Sequence, residues 1–222
     1  GSDLLVRGVG AYESRRAAKA AEGAGSRRPV GLVAPSWQED CLLDLCADEV
    51  LEPLLGRGFS VIVRPHPEYT KRYHARWESL QQRYASWSRD DIYFEQAFRT
   101  SDSVYDADVL VTDWSSIACE FSFTTMKPCV FVDTPMKVTN PDWEELGIEP
   151  ADLAIRNQIG ASLAMEELPR LGDVVEDMVA RPEAWRNRIE EVRSRMIYPT
   201  GRGGEIPGAS LPDRMLAKPG AR

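Results

Sequence analysis

Two short stretches carry side chains suited to phosphate chemistry: Arg64-Pro65-His66-Pro67 and Asp113-Trp114-Ser115-Ser116. The second follows the apolar run Val109–Val111 and precedes Ile117, Phe121 and Thr124, which recur at helical spacing. A helix start carries unpaired N–H groups and a partial positive charge. Two serine hydroxyls beside it make a seat for a phosphate, although a serine at this place is equally a plain helix cap. Arg64 has the fork geometry that matches phosphate oxygens. His66 is restricted on both sides by proline, so its imidazole is preset to donate a hydrogen bond or to steady developing charge. A structural hydrogen bond is the competing reading for this histidine. Trp37, in Pro35-Ser36-Trp37-Gln38, suits stacking on a base or a place in the core.

These loops need a scaffold that brings them together. Val30–Pro35, Phe59–Val63, Asp91–Phe94, Val109–Val111 and Cys129–Val132 read as short buried strands, and 155–163 is expected to hold a last one. Helical patterns lie between them, around 42–55, 68–87, 97–104 and 117–125, and then over 166–180 and 183–197. Strand, polar turn, helix, strand is a βαβ unit and implies a parallel sheet. The expected fold is therefore α/β, a Rossmann-like parallel sheet flanked by helices. Its polar loops would share the carboxyl edge, where such sheets bind ligands. Residues 1–29 read as a linker with an alanine-rich helix from Glu13. Residues 30–198 read as the nucleotide-binding domain and 199–222 as a flexible Pro/Gly-rich tail.

Composition narrows the classes. The 222 residues carry a net charge of −8, which argues against a nucleic-acid partner. The stretch 68–87 mixes arginines with aromatics, yet an amphipathic helix with snorkelling arginines accounts for it. The four cysteines lack metal spacing and read as free thiols, so neither a metal nor another cofactor is expected. No apolar run reaches the ~20 residues of a membrane span. Gly1-Ser2 reads as a cloning remnant, so a piece of a longer protein is expected.

The order of the motifs resembles the CDP-glycerol glycerophosphotransferases, the teichoic-acid primase and polymerase family. Val33-Ala34-Pro35-Ser36-Trp37 is similar to their A-P-T-W strand end, Arg64–Pro67 to their R-x-H-P loop, and Asp108–Ser116 to their D-x-L-I-T-D-Y-S-S. Glu120-Phe121 and Lys127-Pro128 continue the match, and Arg7–Tyr12 resembles the linker before the family's carboxyl-terminal domain. Ser36, Gln38 and Trp114 depart from the pattern, standing for a threonine, a basic residue and a tyrosine.

The resemblance implies the carboxyl-terminal, donor-binding half of a GT-B fold. It implies CDP-glycerol, or another nucleotide-activated donor, as ligand, and an acceptor-binding amino-terminal domain as partner. Ser115 and Ser116 would hold the diphosphate, with Ser36, Trp37, Asp113 and Glu120 completing the nucleotide site. Arg64 and His66 would sit at the transferred phosphoryl group as the catalytic residues. The location implied is cytoplasmic, with membrane contact only through segments absent from this chain. Two other readings stay open: the donor domain of a GT-B glycosyltransferase using a nucleotide-sugar, and a non-catalytic interaction module.

Overall fold

The computed structural model describes residues 2–21, 27–96, 101–136 and 150–197, together with Glu145 and Gly147. Readings that fall on 97–100 and on the tail from 198 lie outside the described residues.

Six strands form one sheet, every pair parallel: β1 (Val30–Val33), β2 (Ser60–Val63), β3 (Ile92–Phe94), β4 (Val109–Thr112), β5 (Cys129–Asp133) and β6 (Gly160–Ala164). Their order is β3-β2-β1-β4-β5-β6. The chain winds outward from β1 through β2 to β3, then returns to lay β4 on the other side of β1. That reversal opens a crevice between the loops after β1 and β4.

The central strands β4 and β5 read as unbroken apolar runs because both faces are covered. Val33, Val61, Val63, Val109, Val111, Val130 and Val132 point into one core, while Leu32, Leu110, Cys129 and Phe131 point into the other. The first core is closed by α3 (Ala47–Gly56), α5 (His74–Arg83) and α9 (Leu171–Ala180). The second is closed by α7 (Ile117–Thr125), α8 (Ala151–Ile159) and α10 (Pro182–Met196). Two short helices complete the crossovers next to the loops of interest, α4 (Pro67–Arg72) and α6 (Asp102–Asp106), and a one-turn α2 (Leu42–Leu45) precedes α3.

Several elements differ from the sequence reading. Residues Ser2–Ala21 form one helix, α1, through Gly8 and Gly10, and it packs along α7. The stretch 68–87 is two helices, broken at Tyr73, whose backbone leaves the helical region (φ −118°, ψ 41°). Residues 155–159 are helical, and β6 starts only at Gly160. Residues Met165–Arg170 form a 3-10 turn before α9. Helix α7 ends not at Pro128 but at Met126, which adopts the left-handed conformation (φ 59°).

The arginines of 68–87 pair with acids: Arg72 with Glu68, Arg76 with Glu39 and Asp44, Arg83 with Asp48. Tyr69, Trp77 and Tyr84 are buried. This stretch is thus a paired, solvated face over an aromatic core. All four cysteines are free, with Cys41, Cys46 and Cys129 buried. Burial raises the thiol pKa to about 12 at Cys41 and Cys46 and about 11 at Cys119, so these thiols are unreactive at neutral pH. No described helix is long and apolar enough to cross a membrane.

Gly160 fixes where β6 can join. A Cβ there would lie 1.9 Å from the Cys129 carbonyl oxygen, a backbone atom that cannot yield. Gly160→Ala should therefore lower stability by about 3 kcal/mol, the upper part of the overpacking range. Gly10→Ala, whose Cβ would meet nothing, should leave stability unchanged or raise it by up to about 1 kcal/mol. Urea unfolding of both variants checks this; equal midpoints would contradict the close approach.

Candidate functional site

The loops after β1, β2 and β4 leave three neighbouring strands at one edge, so Ser36, Trp37, Arg64, His66, Asp113, Ser115 and Ser116 all stand along the carboxyl rim. Backbone bonds carry the ladder beyond the strands: Ala34 N donates to Val111 O at 3.0 Å, and Arg64 N to Val33 O at 2.8 Å. Thr112 Oγ1 donates to Ala34 O at 2.7 Å.

Asp113 ties this rim together. It is 1% exposed. Its Oδ1 accepts from the amides of Ser36 and Trp114, both at 2.7 Å, and its Oδ2 from the amide of Leu42 at 3.1 Å. One carboxylate thus fixes the β1 loop, the start of α2 and the turn into α7. The serines that follow do not cap the helix, contrary to the simplest reading of the motif. Ser116 is the N-cap residue, and its side chain makes no capping bond. Ser115 is half-buried and Ser116 exposed, so the head of α7 presents hydroxyls and helix N–H groups at the rim.

Arg64 turns sideways along the rim. Its Nη1 donates to Glu95 Oε1 at 2.7 Å and to Ser103 Oγ at 2.8 Å, and its side chain is 15% exposed. His66 is exposed and is the N-cap of α4, with Pro67 as the first helical residue. Its Nδ1 accepts from the Glu68 amide at 3.1 Å. A neutral His66 therefore carries its proton on Nε2. The Trp37 ring lies 6.2 Å from the His66 ring, with the Arg72 guanidinium 5.2 Å over it. Trp37 is thus a partly exposed wall of the rim.

Glu120 stands apart from these loops. It is exposed, one turn into α7, and faces a groove of about 630 Å³ shared with Ser101, Tyr105 and Phe123 and floored by α1. Lys127, part of the sequence motif, lies at the opposite edge of the sheet, bonded to Ala107 O and Asp108.

The loop after β5 also meets this rim. Trp114 Nε1 donates to Thr134 O at 2.8 Å, and Gln38 Nε2 to Pro135 O at 2.8 Å. Arg156 is 6% exposed, bonded through Nη2 to Asp133 Oδ1 at 2.6 Å, and stacked 4.0 Å from the Trp114 ring. Reading 155–163 as strand hides this arginine, because only a helix there returns it to the rim.

Five buried side-chain polar atoms among the described residues lack a partner: Ser36 Oγ, Gln38 Oε1, Glu95 Oε2, Thr134 Oγ1 and Arg156 Nη1. All belong to the carboxyl rim or to the arginine paired there. No group of three or more His, Cys, Asp or Glu among the described residues could hold a metal.

Comparison with known proteins identifies the family and the fold. Residues 16–144, more than half of the chain, match the family described as CDP-Glycerol:Poly(glycerophosphate) glycerophosphotransferase. No curated protein sequence matched. Among solved structures, a variant of the wall teichoic acid polymerase TagF is similar at TM-score 0.55 and 14% identity, covering 96% of this chain and 50% of that one. An α,α-trehalose-phosphate synthase (UDP-forming) from Burkholderia vietnamiensis is similar at TM-score 0.59 and 14% identity, covering 87% and 45%. The glycotransferase of kitacinnamycin is similar at TM-score 0.53 and 16% identity, covering 89% and 46%. The chain spans about half the length of these structures, and its fold is one Rossmann-like half of the GT-B arrangement. By that match, the chain belongs to the CDP-glycerol:poly(glycerophosphate) glycerophosphotransferase family.

Proposed function

We propose that this chain is the donor-binding half of a transferase that moves glycerol phosphate, or a similar polyol phosphate, from a CDP-activated donor to a hydroxyl acceptor in cell-envelope polymer synthesis. The observation that carries the reading is the concentration of unpartnered buried polar atoms at one rim, beside a helix start whose serines are free of capping duty. A buried polar group without a partner costs about 1–3 kcal/mol, so such groups gather where a ligand supplies the missing bonds. The nucleoside would lie in the groove beside α7, with Glu120 accepting from ribose hydroxyls. The diphosphate would cross the head of α7 at Ser115 and Ser116. The domain assignment follows: residues 30–198 bind donor, 1–29 lead in from the acceptor-binding half, and membrane contact belongs to segments outside this chain.

The chemistry is attack by an acceptor hydroxyl on the β-phosphorus. The bond to the bridging oxygen breaks, CMP leaves with the electron pair, and the proton of the attacking hydroxyl passes to solvent. His66, with its proton on Nε2, can donate to the leaving phosphate or to the transferred group as charge builds. Arg64 adds positive charge on the same side, shared with Glu95.

Three outcomes test this. In a thermal-shift and calorimetric panel, CDP and CDP-glycerol should bind the chain and raise its unfolding temperature, by about 2.7 kcal/mol of stability at a hundredfold excess over Kd. Binding by UDP-sugars alone would make it a glycosyltransferase donor domain, and binding by nothing would reject both. The double change Ser115→Ala, Ser116→Ala should weaken CDP binding about tenfold, a loss of about 1.4 kcal/mol; unaltered affinity would leave an interaction module as the better description. In the full-length protein, His66→Ala should cut turnover about 100-fold or more with donor affinity nearly unchanged. An unchanged rate would remove His66 from the mechanism.

A further inference from the structure

Arg156 has no counterpart in the motifs that mark the site, yet it is the rim's most confined cation. Its guanidinium lies over two rings, 4.0 Å from Trp114 and 4.7 Å from Phe131. Nη2 is held by Asp133, while Nη1 is buried with no partner. A buried guanidinium with one partner is costly, because desolvation is offset only where each donor finds an acceptor. Here the offset is incomplete. Burial pulls the Arg156 pKa below its usual range and pushes the Asp133 carboxyl above its own, although each partner's charge opposes the shift.

A small void beside Arg156 bounds what the missing acceptor can be. Arg156 and Ser115 line one void of about 20 Å³, with Ala118 and Cys119 from the first turn of α7. That volume admits a single oxygen atom or water and not a whole phosphate. Two carboxylates line the same void. Asp113 already accepts three amide hydrogens, and Asp152 is exposed. The residues around the void thus include the arginine with an unpartnered N–H and a serine, both groups that favour a negatively charged oxygen, while the Ala118 and Cys119 amides already donate to Ser115 O and Ser116 O.

We propose that Arg156 is a further donor-binding residue: its Nη1 takes one non-bridging oxygen of the diphosphate seated over Ser115. The Trp114 and Phe131 rings and Asp133 hold the guanidinium in place before the ligand arrives, so little side-chain entropy is lost on binding. This rests on the donor-site reading above and names the cation on the β5 side of it, opposite Arg64.

Calorimetry on the 222-residue chain tests it, with CDP and inorganic pyrophosphate as the two probes. Arg156→Gln should weaken both by the same factor, about tenfold, because the lost contact is to phosphate. Arg156→Lys, which keeps the charge but cannot place a donor at Nη1, should weaken both about fivefold. Arg156→Gln within twofold of wild type would overturn the proposal while leaving nucleotide binding intact. So would a loss confined to CDP, which would put the defect at the nucleoside. Where Arg156→Gln fails to melt cooperatively, Arg156→Lys decides alone, and wild-type affinity there overturns it. A wild-type chain that binds neither probe would reject the donor-site reading and this inference together.

Discussion

One buried carboxylate sets the geometry on which the rest depends. Asp113 sits at the point where the strand order reverses, the place where a doubly wound sheet must leave a gap. Left open, that gap would expose the amides of Ser36, Leu42 and Trp114 without partners. Asp113 gathers all three, two on one oxygen and one on the other. The β1 loop, the start of α2 and the turn into α7 thereby become one rigid unit. With this work done by an aspartate, the serines behind it are released from capping, and the head of α7 keeps its hydroxyls and N–H groups for something else. Preorganisation of this kind lets a site bind without first ordering itself.

The parts of the fold that could be read from the chain are those fixed by local pattern. Strands of four or five apolar residues ending in Gly, Pro or a charge are unambiguous when both faces are covered, and β1, β2, β4 and β5 fall where the runs stand. Misread elements are those set by tertiary contact. Gly8 and Gly10 weaken α1 by propensity, but packing along α7 sustains it. The apolar residues Ile155 and Ile159 fit strand or helix; only the close approach of Gly160 to Cys129 decides where β6 begins.

The site shows the same division. Ser115, Ser116, Arg64 and His66 announce themselves by type and order, and parallel topology is enough to bring their loops to one rim. Neither Asp113's clamp nor Arg156's stack is legible, because each joins residues far apart in sequence: 77 positions from Ser36 to Asp113, and 23 from Asp133 to Arg156. Arg64 is the converse case. Its type suggests a ligand contact, but its charge is already shared with Glu95, a buried partner 31 positions away.

The two ends of the sheet are built on opposite rules. At the amino edge, polar groups are paired with each other. Asp108 accepts from Arg27, from Lys127 and from the Val30 amide, while Arg28 reaches Asp91 and the carbonyls of Gly58 and Phe59. These bonds tie together the segments that lead into the strands and leave no described buried side-chain polar atom unpaired there. At the carboxyl edge, Ser36, Gln38, Glu95, Thr134 and Arg156 each keep a buried atom unpaired, in a core that packs well on both faces. A sequence under pressure for stability alone would pair or delete such groups, since each costs about 1–3 kcal/mol. Their confinement to the edge where parallel sheets bind ligands favours a binding site over a packing defect, because a defect has no reason to choose an end of the sheet.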